Sequence, residues 1–182
     1  MKATGIVRRV DELGRLVIPK EIRRTMRLAE GTPLEIFTDR EGQIILKKYS
    51  PMMELGSFAK QYAESVAQTT NQKVAVSDRD QIIAVAGGGK RELLGKTISR
   101  QLEEMIINRE NSIQAGLDKK TIPLISGDED SYSAQAIYPI CCEGDCIGAV
   151  ILYSRENQTH FSETEYKAAA CAASFLGKQM EG

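Results

Sequence analysis

Apolar and polar positions along this chain fall into short runs that switch between period two and helical spacing. Gly5 to Val10 and Arg15 to Ile18 predict two short strands around the turn Asp11-Glu12-Leu13-Gly14. Proline at a first helical position predicts a short helix from about Pro19 to Arg27. Glu21 suits its positive start, and Arg24 and Arg27 its negative end. Gly31 and Pro33 punctuate the exit. Leu34 to Asp39 and Gln43 to Lys48 then predict a hairpin across Arg40-Glu41-Gly42, with Gly42 left-handed. Leu34, Ile36, Ile44 and Leu46 share one face of it.

Ser50-Pro51 ends that hairpin and caps a helix whose stripe is Leu55, Phe58, Ala59, Tyr62, Ala63 and Val66. The stripe needs a partner, either in the following domain or in another subunit. Lys73 to Asp78 and Gln81 to Ala86 predict a hairpin turning at Asp78-Arg79-Asp80. Ile98, Leu102, Met105 and Ile106 mark a helix over 97–108, and Ile113 and Ile122 to Ile125 mark short strands. Ser133 to Cys142 and Cys146 to Ser154 form the clearest hairpin, across Glu143-Gly144-Asp145. Ser162-Glu163-Thr164-Glu165 is a capping box, and Phe161 is placed to staple onto Tyr166. The closing helix runs to about Met180 with Ala168, Ala169, Ala172, Phe175, Leu176 and Met180 inward. The expected division is a first domain over 1–50, a connector helix over 51–70 and a second domain over 71–182.

Charge separates the two ends. Residues 1–50 hold 11 Lys+Arg against 7 Asp+Glu, a balance of +4. The rest holds 24 − 11 = 13 against 25 − 7 = 18, a balance of −5. A basic head on an acidic body points to a polyanion at one end only. No apolar run approaches the roughly 18 residues that span a membrane. The start has no signal-peptide core, so a cytoplasmic location and no membrane partner are expected. The four cysteines cluster in the last third, and in a reducing compartment they are expected to be thiols.

Candidate chemistry lies in the head. Arg8, Arg9, Arg15, Arg23, Arg24 and Arg27 alternate with residues set to pack, and guanidinium fits phosphate oxygens and guanine edges. Some fifty residues with such short strands bury too little apolar surface to be stable alone, so an obligate dimer is expected. Arginines on strands and loops favour shape and phosphate over a strict base code, hence A·T-rich, loosely defined sites. The run Gly87-Gly88-Gly89-Lys90 lacks the spacing and the following Ser or Thr of a phosphate loop, and reads as a mobile loop. No cofactor and no metal are expected. Cys141, Cys142 and Cys146 lack metal-site spacing and read as buried inert thiols.

The stretch from Thr4 to Tyr49, with GIVRRVDELGRLVIPKEIRR at its start, closely resembles the AbrB-type transition-state regulators. That resemblance implies a swapped-hairpin barrel of two interleaved chains that binds double-stranded DNA through Arg8, Arg15, Arg23 and Arg24. Arg9 and Lys2 are added as phosphate contacts. The remainder, ending in CIGAVILYSR and FSETEYKAAACAASFLGKQM, resembles a GAF domain. The expected fold class is therefore α+β: an intertwined swapped-hairpin β-barrel, dimeric, followed by a GAF-like antiparallel sheet with flanking helices.

The combination over the whole length resembles sporulation regulators of endospore-forming bacteria. It implies a homotetramer, nucleoid-associated in the forespore, that activates some genes and represses others. A small-molecule effector in the GAF-like domain and a pure assembly role both stay open. Two other functions remain beside this one: an antitoxin-like autorepressor, and a GAF-type thiol-dependent methionine sulfoxide reductase.

Overall fold

Two sets of buried side chains, alternating along the same strands, organise the larger part of the chain. The structure is a computed structural model that describes residues 4–50, 52, 56–115, 121–128, 132–156 and 159–181. The chain divides into two compact units, Met1–Tyr49 and Ser50–Gly182.

The N-terminal unit carries helix α1 (Lys20–Thr25) and the antiparallel pair β1 (Leu34–Thr38) and β2 (Ile44–Lys48), in register Ile36 opposite Leu46. Pro19 is the N-cap of α1, one residue outside the position expected for it. The strands expected at Gly5 to Val10 and Arg15 to Ile18 are not formed within one chain, although their closing turn is. The physical reason is that nothing within the unit packs over their apolar side chains. Val7 is 86% exposed, Val17 72% and Ile44 72%, and none of the unit's described residues belongs to either buried core. Pairing these segments would bury none of their apolar side chains, so nothing stabilises them as strands.

The C-terminal unit is a five-stranded antiparallel sheet. Its strands are β3 (Lys73–Asp78), β4 (Ile82–Ala86), β5 (Ser112–Ala115), β6 (Ala134–Cys142) and β7 (Asp145–Ser154), in the order β4-β3-β7-β6-β5. Helices α2 (Gly56–Thr70) and α5 (Glu163–Gln179) cover one face. The short α3 (Lys90–Leu93) and α4 (Arg100–Ile107) belong to the other. Val74, Val76, Val150 and Leu152 point to the first face, and Ala75, Ala149, Ile151 and Tyr153 to the second. Covered on both sides, β7 reads as a continuous apolar run rather than an alternating one.

The stripe expected on α2 is only partly inward: Ala59 and Ala63, with Ala67, pack onto the sheet beside Ala169, Ala172 and Ala173 of α5, Tyr62 and Val66 are half-buried against them, Phe58 is exposed, and Leu55 lies outside the described residues. Small side chains let both helices lie close. The inward face of α5 is rotated from the expected one, because Phe175 lies outward and stacks on Tyr62 at 4.7 Å while Gly177 is buried. The capping box is formed: Ser162 Oγ accepts from the Thr164 N–H (3.1 Å), and Glu165 accepts from the Ser162 N–H (2.7 Å).

Ile98 stands before α4 rather than inside it, since Ser99 caps that helix by accepting from the Leu102 N–H (3.1 Å). Residues 122–125 are not a strand; one bridge, Ile98 to Ile125, ties them to the chain before α4. The last hairpin turns on Glu143 and Gly144 alone (φ +48° and +87°), which places Asp145 in β7 opposite Cys142.

Candidate nucleic-acid interface

Two copies of one turn shape the N-terminal unit. In the first, Asp11 Oδ1 accepts from the backbone N–H of Leu13 (3.0 Å) and of Arg15 (2.8 Å). The Gly14 N–H donates to the Asp11 carbonyl (3.0 Å), and the Asp11 N–H donates to the Arg15 carbonyl (3.0 Å). In the second, Asp39 Oδ1 accepts from Glu41 and Gln43 (both 2.9 Å). The Gly42 N–H reaches the Asp39 carbonyl at 3.3 Å, and the Asp39 N–H reaches the Gln43 carbonyl at 3.2 Å. Gly14 and Gly42 sit at φ +73° and +79°, where a side chain would be strained. DELGR and DREGQ are thus one five-residue device used twice. Asp11 entered the sequence reading only as a turn residue, yet the repeated Asp-x-x-Gly spacing was there to be read.

The expected DNA contacts lie on and around this device. Arg8 and Arg9 precede the first turn, Arg15 ends it, and Arg23 and Arg24 are neighbours near the end of α1; all five are exposed. Lys2 lies outside the described residues. Helix α1 closes through the Leu28 N–H to the Arg23 carbonyl (2.7 Å), with Arg27 left-handed at φ +51°. Arg15 is the best-defined of the set: its Nε donates to Asp11 Oδ2 at 2.8 Å. The backbone and then the guanidinium of Arg15 hold the Asp11 carboxyl below the usual carboxylate range, so it stays ionised at neutral pH.

The C-terminal unit has a polar cluster of its own at the end of β7. Arg155 Nη1 meets Glu92 at 3.0 Å, and Nη2 meets Asp128 at 3.3 Å and the Tyr132 hydroxyl at 3.2 Å. Tyr132 donates to Asp128, and its ring meets Tyr153 edge-on at 5.7 Å. Tyr153 donates to the Gly88 carbonyl at 3.1 Å, and burial pushes its hydroxyl up to about 12. A Cβ on Gly89 would lie 2.5 Å from that hydroxyl. The three-glycine loop is therefore seated on Tyr153. Among the described residues no group of three metal-ligating side chains converges.

The cysteines depart from expectation. Cys141 and Cys146 are joined in a disulfide, while Cys142 and Cys171 are free. The two-residue turn sets Cys141 directly opposite Cys146, a cross-strand pairing that composition does not reveal. Denatured without reductant, the protein should titrate two thiols, and after reduction four; four from the outset would exclude the bond. Burial, then Glu143 and Glu181, raise the Cys142 thiol. This is the reverse of what activates a catalytic cysteine.

An arginine-bearing, AbrB-like head followed by a GAF-like body is the plan of a two-part transcription regulator. Residues 54–181 match the family model described as stage V sporulation protein T C-terminal, transcription factor. Stage V sporulation protein T of Bacillus subtilis (strain 168) is 50% identical over 181 residues, covering 100% of this chain and 99% of that protein. The chain belongs to the stage V sporulation protein T family.

Residues 7–53 match the model for antidote-toxin recognition MazE, bacterial antitoxin. Over 53 residues the chain is 66% identical to the transition state regulatory protein AbrB of the same strain, covering 29% of this chain and 54% of that protein. The GAF domain of Acinetobacter phosphoenolpyruvate-protein phosphotransferase superposes with a TM-score of 0.57 at 12% identity, covering 74% of this chain and 84% of that one. That likeness is one of fold.

Proposed function

We propose that this protein is a homotetrameric DNA-binding regulator of forespore genes, activating some and repressing others. In this reading Arg8, Arg9, Arg15, Arg23 and Arg24 meet the duplex from the first fifty residues, and Lys2 adds a phosphate contact. The observation that carries it is the set of five exposed arginines in a chain 66% identical to AbrB over 53 residues. The uncovered apolar residues of that unit support pairing of two chains, which doubles the arginine set and suits a two-fold DNA site. The outward face of α2 and α5, with Phe58, Tyr62 and Phe175, supports joining two such dimers. An effector of the GAF-like unit would act by shifting that assembly. Residues 1–50, 51–70 and 71–182 would then serve as reader, connector and regulatory or assembly body, in the cytoplasm and on the nucleoid.

DNA affinity measured against salt on A·T-rich duplexes tests this. Each of Arg8→Ala and Arg23→Ala should shallow the log–log slope by roughly 0.9, one neutralised phosphate apiece. Slopes that stay at the parent value would defeat the DNA assignment. The antitoxin-model match over 7–53 favours a second reading, an antitoxin-like autorepressor. It differs in needing a toxin partner for tight DNA binding, which the same titration on the purified chain decides.

A further inference from the structure

The two Asp turns do the same backbone work, and in both of them Oδ1 alone does it. Asp11 Oδ1 takes the N–H groups of Leu13 and Arg15, as Asp39 Oδ1 takes those of Glu41 and Gln43. The second oxygen of Asp11 is then surplus to the turn, and it is spent on the guanidinium Nε of Arg15 at 2.8 Å. At the equivalent place in the second turn stands Gln43, whose amide goes to Glu41 at 3.0 Å instead. A negative charge beside an arginine meant for phosphate is at first sight counterproductive, because it repels the same polyanion. The contact, however, is made through Nε, so it does not use the terminal Nη pair of the fork. A long side chain at the tip of an exposed turn otherwise loses rotamer freedom on binding, and a partner that holds it beforehand lowers that cost.

We propose that Asp11 is a positioning residue for DNA recognition: through Oδ2 it holds Arg15 by its Nε, so that the Nη pair meets the phosphate backbone pre-oriented. The inference rests on the reading of Arg15 as a DNA contact and adds to it a residue that touches no DNA. Its signature is a sign. Removing the Asp11 charge makes the head more positive, which by charge alone tightens DNA binding; loss of positioning weakens it.

Asp11→Asn separates the two roles. The amide keeps an oxygen for the two backbone N–H groups but sets an NH2 against the guanidinium. In the full-length protein, Asp11→Asn should weaken binding to an A·T-rich duplex about three- to five-fold, the effect of one exposed ion pair. Asp39→Asn makes the same change in the twin turn, where Gln43 stands in the place of Arg15, and should cause no loss of affinity. In an Arg15→Ala background Asp11→Asn should cause no further loss.

Equal or tighter binding by Asp11→Asn, while Arg15→Ala weakens it, overturns the proposal. An equal loss in Asp39→Asn also overturns it, since turn stability would then explain both. Full affinity in Arg15→Ala removes the DNA reading of Arg15 itself, a failure distinct from that of Asp11. A second measurement does not depend on DNA. The Arg15 Nε–H should exchange slowly with solvent in the parent and rapidly in Asp11→Asn; fast exchange in both would sink the contact.

Discussion

Gly148→Ala should collapse the C-terminal unit, lowering its stability by about 3 kcal/mol or more. Gly148 lies in the middle of β7, opposite Asp78 of β3. A Cβ built there falls 2.0 Å from the Ser77 carbonyl oxygen, 3.1 Å from its carbon and 3.2 Å from the Asp78 Cα. All three are backbone atoms of the adjacent strand, so no side chain can swing aside. Relief requires β3 and β7 to part, and these strands carry both cores. Urea unfolding followed by far-UV circular dichroism measures the effect. Gly56→Ala is the contrast: nothing lies within 4 Å of its Cβ at the start of α2, so it should be neutral or slightly stabilising. Equal midpoints for the two variants would mean that the strands do not approach as closely as described.

The second large effect belongs to a polar residue in an apolar place. Gln135 is fully buried in β6, and its amide pairs with one residue from both ends. The Ile122 N–H donates to Oε1 at 2.9 Å, and Nε2 donates to the Ile122 carbonyl at 2.7 Å. The side chain thus stands in for a strand, satisfying a segment that has no ladder of its own. Gln135→Leu keeps the volume but leaves the N–H and the carbonyl of half-buried Ile122 without their partner. At about 1–3 kcal/mol for a fully stranded group, the two half-buried ones are expected to cost about 2 kcal/mol together. Amide exchange at residues 121–125 should accelerate before global unfolding. Unchanged exchange there would show that the segment is held by other means.

These two positions mark where reading the chain ran out. Gly148 lies inside an apolar run and carries no local mark, because its importance is the distance to another strand. Gln135 reads as an ordinary polar residue on an alternating strand, and its partner lies thirteen positions away. The arginines of the head stand out in the sequence because charge and motif are local properties, and the structure leaves them exposed. The hold of Asp11 on Arg15 was partly legible, since both fall within five residues.

What the chain determined by itself is what short spacing encodes. Turns at Asp11 to Gly14 and at Asp39 to Gly42, the hairpins of both units, the capping box at Ser162 and the basic head all depend on neighbours a few residues apart. Membership in its family followed from the same stretches. Tertiary structure decided what depends on register and approach. It set Cys141 against Cys146, turned Phe175 outward onto Tyr62, seated the three-glycine loop on Tyr153 and gathered Glu92, Asp128 and Tyr132 around Arg155. A one-residue change of register or a small rotation of α5 would alter every one of these contacts while leaving each local signal intact. In the head the apolar spacing was equally plain, but nothing within the unit covers Val7, Val17 or Ile44.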